Sequence, residues 1–113
     1  MVLIDSVKFG EITVKGKTYY SDALVRWDGR VVLRQKKHII DMDDFIDMAK
    51  AKPEAIVIGT GIHDVVRVSG KFRQEANYRG IRLYTDPSAK AVEMFNGLVA
   101  QGRKAVALIH TTC

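Results

Sequence analysis

The spacing of apolar residues changes twice along the chain, and each change marks a different kind of element. Val7 to Val14 reads as a half-buried strand, and the Lys15-Gly16-Lys17 turn leads from it into a second strand, Thr18 to Tyr20. Gly10 interrupts the first strand and suggests a bulge. Ala23 to Trp27 and Arg30 to Gln35 follow, joined through Asp28-Gly29, a two-residue hairpin signal. Arg30, Val32, Arg34 and Lys36 share one face of that last strand, because strand side chains alternate. That face is expected to be open to water or to a partner.

At Asp41 the period becomes helical. Asp41 reads as an N-cap with Asp44 supporting the free amides, and Met42, Phe45, Ile46 and Ala49 recur at the spacing of a core-facing stripe. Asp43, Asp44 and Asp47 crowd the helix start, where the dipole favours negative charge, and read as a solvated helix end rather than a metal site. Beyond Pro53, Ala55 to Ile58 is an unbroken apolar run ending in Gly59-Thr60-Gly61, the pattern of a strand buried on both faces. Val65 to Val68 reads as a short extended piece, Ser69 to Gly80 as a helix and Ile81 to Tyr84 as a strand. Asp86 and Pro87 open another helix, with Asp86 as its N-cap. Its stripe is Ala91, Val92, Phe95, Leu98 and Val99, and Gly102 closes it. Ala105 to Ile109 is the second unbroken apolar strand. This order of strands and helices requires crossovers over a mixed, mostly parallel central sheet, preceded by an antiparallel hairpin region. The expected fold is α/β, in a single domain over residues 1–113.

Composition narrows the class of protein without naming its work. With 113 residues, 47% of them hydrophobic and 27% charged, the chain falls in the range of ordinary soluble domains and outside those of disordered or collagen-like sequences. No apolar run approaches membrane-spanning length, and the apolar start, Met1 to Ile4, is too short for a signal-peptide core. A cytoplasmic location is expected. The one cysteine, Cys113, allows no internal disulfide and no thiolate zinc site. The net charge of +5 is uneven: residues 1–40 carry +4, residues 41–66 carry −4 and residues 67–113 carry +5. This permits acidic partners and is equally compatible with ordinary solubility.

Gly59-Thr60-Gly61 is the most suggestive spot, because ligands of α/β sheets gather beyond the carboxyl ends of strands. The dinucleotide fingerprint fails, since neither a third glycine nor an immediate helix follows, and the Walker lysine-serine pair is missing. The plainer reading is a tight turn. His63 beside Asp64 could orient a proton transfer, yet neighbours on a strand point apart and no nucleophile accompanies them. No two of His38, His63 and His110 lie at a short metal-ligand spacing. Arg103 and Lys104 complement the end of the last helix, and Arg103 could also meet an anion. Arg26, Arg30, Arg34, Lys36, Lys37 and His38 form a basic cluster beside Trp27. Such a cluster could bind single-stranded nucleic acid, although cations on an edge strand also guard it against aggregation.

Three stretches also carry a resemblance: KFGEITVKGKTYYSDALV, EAIVIGTG and YRGIRLYTDPSAKAVEMFNGLVAQGRKAVALIH. They resemble the small domain family that includes the adipogenesis-associated protein and a mitochondrial respiratory complex I assembly factor. The telling residues are Gly59-Thr60-Gly61, Gly80-Ile81 and Asn96-x-Leu98 leading to Gly102-Arg103. The resemblance implies a three-layer β+α/β/α arrangement and no established enzyme activity; no cofactor is expected. It departs after Gly80-Ile81, where Tyr84, Thr85 and Asp86 stand in place of an acid directly after the strand. The first functional expectation is a non-catalytic module that binds another protein through Trp27, Arg30, Arg34 and Lys36. The second is an anionic or phosphate-bearing metabolite held by Gly59, Thr60, Gly61, His63 and Arg103. Nucleic-acid binding through the basic strand ranks third.

Overall fold

The computed structural model describes residues 2–113. Its central sheet has five strands in the order β5 (Val31–Arg34), β4 (Asp22–Arg26), β10 (Ala105–Ile109), β7 (Ala55–Gly59) and β9 (Arg82–Asp86). β10, β7 and β9 are mutually parallel, while β4 runs antiparallel to both β10 and β5. The two unbroken apolar runs are the inner strands β7 and β10, buried at every position. Each has a strand on both sides and a packed layer on both faces, which no alternating sequence could satisfy.

Alternation along these strands divides the interior in two. Val57, Ala107 and Ile109 face α3 (Ser88–Ala100) and a three-stranded antiparallel sheet of β1 (Ile4–Lys8), β2 (Glu11–Val14) and β3 (Lys17–Tyr19). Ala91, Val92 and Phe95 of α3 fill this side together with Ile4 and Ile12. Ile56, Ile58 and Leu108 face α1 (Met42–Ala49) and α2 (Gly70–Tyr78), where Phe45 and Phe72 meet edge to face with centroids 5.1 Å apart. The short parallel pair β6 (Ile39–Ile40) and β8 (Arg67–Val68) supports this second side. The result is the expected three layers, β+α over β over α.

Several local expectations are corrected. Gly10, at φ +83°, turns the chain between β1 and β2, and the register slip lies instead between Ile4 and Ser6. The β4–β5 connection spans Trp27, Asp28, Gly29 and Arg30, with only Gly29 at positive φ; a two-residue Asp-Gly turn of the expected kind needs two such positions. Within the central sheet the antiparallel pairings equal the parallel ones, because the β4–β5 hairpin joins the same sheet. On α1, Ile46 points to solvent and Met48 takes the core position beside Phe45. The Asp41–Asp44 capping box forms as expected, but Asp44 is buried rather than solvated. Asp86 ends β9 and caps nothing; Pro87 occupies the N-cap of α3 without a side-chain bond.

Two glycines test these assignments in opposite directions. Gly61 has φ +101°, and a Cβ there would lie 2.6 Å from the Cys113 carbonyl carbon and 2.8 Å from the Thr112 oxygen. Gly97 lies within α3 with open space around it. Gly61→Ala should cost about 1–3 kcal/mol in urea unfolding, whereas Gly97→Ala should add about 0.5–1 kcal/mol. Equal effects of the two substitutions would contradict this placement.

Candidate functional site at the carboxyl end of the sheet

The β4–β10 register pairs Ala23 with Ile109, so the residues just beyond, Asp22 and His110, come opposite each other. Both are buried. His110 Nδ1 donates to Asp22 Oδ2 over 2.6 Å, and Asp22 Oδ1 accepts from the Thr111 amide at 2.9 Å and the Thr111 hydroxyl at 3.2 Å. On the far side of the imidazole, Thr112 Oγ1 lies 3.2 Å from Nε2, placed to donate to it. Such bonds are what make a buried carboxylate tolerable.

Main-chain groups extend this knot into every neighbouring element. The Ser88 hydroxyl, wholly buried at the start of α3, donates to the His110 carbonyl at 2.5 Å and accepts from the Gly61 amide at 3.0 Å. Thr111 O accepts from the Gly10 amide and Thr112 O from the Ile62 amide. Residues 110–112 thereby tie together the β1–β2 turn, the start of β4, the loop after β7 and the start of α3. Outside them opens a cleft of about 510 Å³, with Asp22, Thr111 and Thr112 on its floor and Tyr20, Leu33 and Lys36 at its edges.

Beside the cleft, β5 is an outer strand of the sheet. The Arg26 amide donates to the Arg30 carbonyl, and antiparallel bonding alternates from there along the hairpin. Val31 and Leu33 therefore direct their amides and carbonyls outward, away from β4. Arg34, on the next turn of the pleat, reaches under α1 to Asp44 and Asp47, while Lys37 holds Asp43 at 2.9 Å and Asp44 at 2.8 Å. The Arg34 bond and then the Lys50 bond draw the Asp47 carboxyl below its ordinary value of 3.8; the Lys37 bond does the same for Asp43. Burial works against the charge on Lys37, but its bonds to Asp43 and Asp44 outweigh it and raise its ammonium above 10.5.

The residues singled out from the sequence fall into separate places. The Gly59–Gly61 loop lies at the carboxyl end of β7, as expected, but its amides are already used. Thr60 N donates to Asp86 O, Gly61 N to Ser88 Oγ, Ile62 N to Thr112 O and His63 N to Cys113 O. No run of free amides is left for an anion. The His63 side chain is exposed beyond this turn. Arg103 sits before β10, at the opposite end of that five-residue strand, about 17 Å away, and pairs with Glu54. It therefore does not join the loop. Trp27 is half-buried at the other end of the sheet, with Arg26 and Lys104 over its ring at 5.1 and 5.8 Å. Its stacking surface is engaged by the chain's own cations. Arg30 and Lys36 are exposed at the two ends of β5, whereas Arg34 is locked to α1. The four do not form one surface.

Asp22, Ser88 and Thr111 were not among the residues singled out, and His110 was weighed only as a metal ligand. The available signal was a polar residue immediately outside each apolar run, Asp22 before Ala23 and His110 after Ile109. Only the antiparallel register makes partners of them.

Residues 4–110 match the model of a family described as "Protein of unknown function (DUF498/DUF598)", and the chain belongs to that family. Solved structures share the fold over nearly the whole length. A conserved hypothetical protein, PH1505, from Pyrococcus horikoshii OT3 superposes with a TM-score of 0.87 at 20% identity, covering 97% of this chain and 98% of its own. A protein called MT938 gives 0.83 at 26% identity, with 98% of each chain covered. An outer membrane protein from Bartonella henselae gives 0.82 at 19% identity, covering 99% of this chain and 96% of its own. Among the described residues here, no helix is long and apolar enough to cross a membrane.

The clamp on α1 has a definite pH signature. The carboxyls of Asp43 and Asp47 are depressed in the folded chain, so their contribution is full above the unfolded value near 3.8 and is lost as pH falls through the lower folded values. Between about pH 4 and about pH 2 the wild type should lose more thermal stability than Arg34→Met/Lys37→Met. Parallel melting curves for the two proteins over that range would remove the clamp from the account.

Proposed function

We propose that the chain is a protein-binding module whose outer strand β5 takes an extended segment of another protein as an added strand. The observation that carries this reading is the state of Val32 and Leu33, which are 50% and 53% exposed on opposite faces of a strand whose outer edge has no partner strand among the described residues. A docked strand would cover both side chains and satisfy the outward groups of Val31 and Leu33, which is how sheet edges recognise extended peptides. Leu33 also borders the 510 Å³ cleft, where Tyr20 is 79% exposed. Arg30 and Lys36 place a cation at either end of the strand. The fitting segment therefore has an apolar centre and acidic flanks. A cytoplasmic location is part of the same proposal; among the described residues no helix is long and apolar enough to cross a membrane.

The test uses a defined probe, an eight-residue alternating Val/Thr peptide flanked by glutamates, with a lysine-flanked peptide as control. Only the acidic peptide should bind, and amide shifts should concentrate on residues 31–36. Leu33→Pro removes an outward amide that makes no bond to β4, so the fold should persist while binding falls at least tenfold. Equal binding of both peptides, or undiminished binding by a folded Leu33→Pro protein, would refute the edge-strand reading.

A further inference from the structure

A second cleft, of about 320 Å³, opens at the carboxyl ends of the parallel strands β7 and β9. Thr60, Asp64, Arg67, Arg73, Thr85 and Asp86 supply its polar lining. Parallel strands direct their carboxyl ends at ligands in many α/β proteins, and the volume suits a small metabolite.

In this cleft opposite charges share one lining without closing into ion pairs. Elsewhere, where a cation stands beside a carboxylate, the two close on each other: Arg26 on Asp28, Lys50 on Asp47, Arg79 on Glu75, Arg103 on Glu54. Here two arginines and two aspartates line one small space, and among the described residues none of the four is ion-paired. Arg67 is instead held by main-chain oxygens, its Nη1 donating to Asp64 O at 2.8 Å and Val66 O at 3.1 Å. That grip fixes one nitrogen of the guanidinium and leaves the others for a further acceptor. Asp64 is also held, in a left-handed conformation at φ +58°, by the Thr60 hydroxyl at 2.6 Å. The Asp86 carboxyl has neither a cation nor a hydrogen-bond donor among the described residues, although its main-chain oxygen accepts from Thr60 N at 2.9 Å.

We infer that this cleft binds a phosphate monoester of a small polyhydroxylated molecule, with the phosphate on Arg67 and Arg73 and hydroxyl groups donating to Asp86. Two guanidiniums suit the paired oxygens of a phosphate. A carboxylate without a donor suits vicinal hydroxyls and repels a bare anion, so the site selects a phosphorylated sugar over free phosphate. The binding groups are side chains, which is why the occupied amides of the Gly59–Gly61 loop do not oppose it. The site lies apart from β5 and is independent of the protein-binding reading.

Titration of the full chain with ribose 5-phosphate, inorganic phosphate and ribose, followed by amide shifts and calorimetry, tests this directly. Ribose 5-phosphate should bind saturably, with shifts confined to residues 60–68, to Arg73 and its neighbours on α2, and to 85–87. Inorganic phosphate should bind at least about tenfold more weakly, and ribose not measurably. Arg73→Gln, at an exposed position that leaves the core untouched, should weaken ribose 5-phosphate about tenfold or more. Asp86→Asn should weaken the ester while leaving inorganic phosphate unchanged or tighter. No binding at millimolar concentration, equal affinity for phosphate and the ester, or an unaltered Arg73→Gln protein would each overturn the inference.

Discussion

One buried carboxyl group organises the end of the sheet where the candidate sites lie. Asp22 is taken out of water at the start of β4, and it is tolerable there only because His110 and Thr111 supply donors to both its oxygens. Those donors belong to the segment leaving β10. The same segment lends its carbonyls to the β1–β2 turn, the loop after β7 and the hydroxyl that begins α3. The polar groups at this end are thus satisfied by one another, across elements distant in sequence. The hydrophobic layers fix the strands in the sheet; this knot fixes what emerges from them.

That division of labour explains why the two proposed surfaces differ in kind. At β5 the main chain has run out of partners and the exposed side chains are apolar, which favours another strand. At the ends of β7 and β9 the main-chain amides are consumed, and arginine and aspartate side chains remain as the proposed binding groups. Arg34 separates the two regimes. It lies on the edge strand, yet its charge is spent holding α1 through Asp44 and Asp47.

The architecture was legible in the apolar pattern because burial on both faces leaves an unmistakable run. Ala55 to Ile58 and Ala105 to Ile109 located the inner strands, and the helix stripes after Asp41 and Asp86 located the layers. Errors arose where a residue's environment depended on distant chain. Asp44 looked like a solvated helix-start acid because nothing local shows that Arg34 and Lys37 arrive above it. Ile46 fitted the helical stripe, but α1 meets the sheet through Phe45 and Met48. Arg103 and the glycine loop flank adjacent strands that run in the same direction, so they lie at opposite ends of the sheet. The Asp22–His110 pair spans 88 residues and follows only from the β4–β10 register.

The central claim is that Asp22 and His110 act as one unit. A double-mutant cycle with Asp22→Asn, His110→Gln and the double variant, measured by urea unfolding, tests it most directly. The knot predicts that the two substitutions are coupled by about 1 kcal/mol or more, the double variant losing clearly less stability than the two single losses combined. Additivity within about 0.3–0.5 kcal/mol would mean that the two side chains stabilise the chain separately, and the knot would no longer explain how this end of the sheet is built.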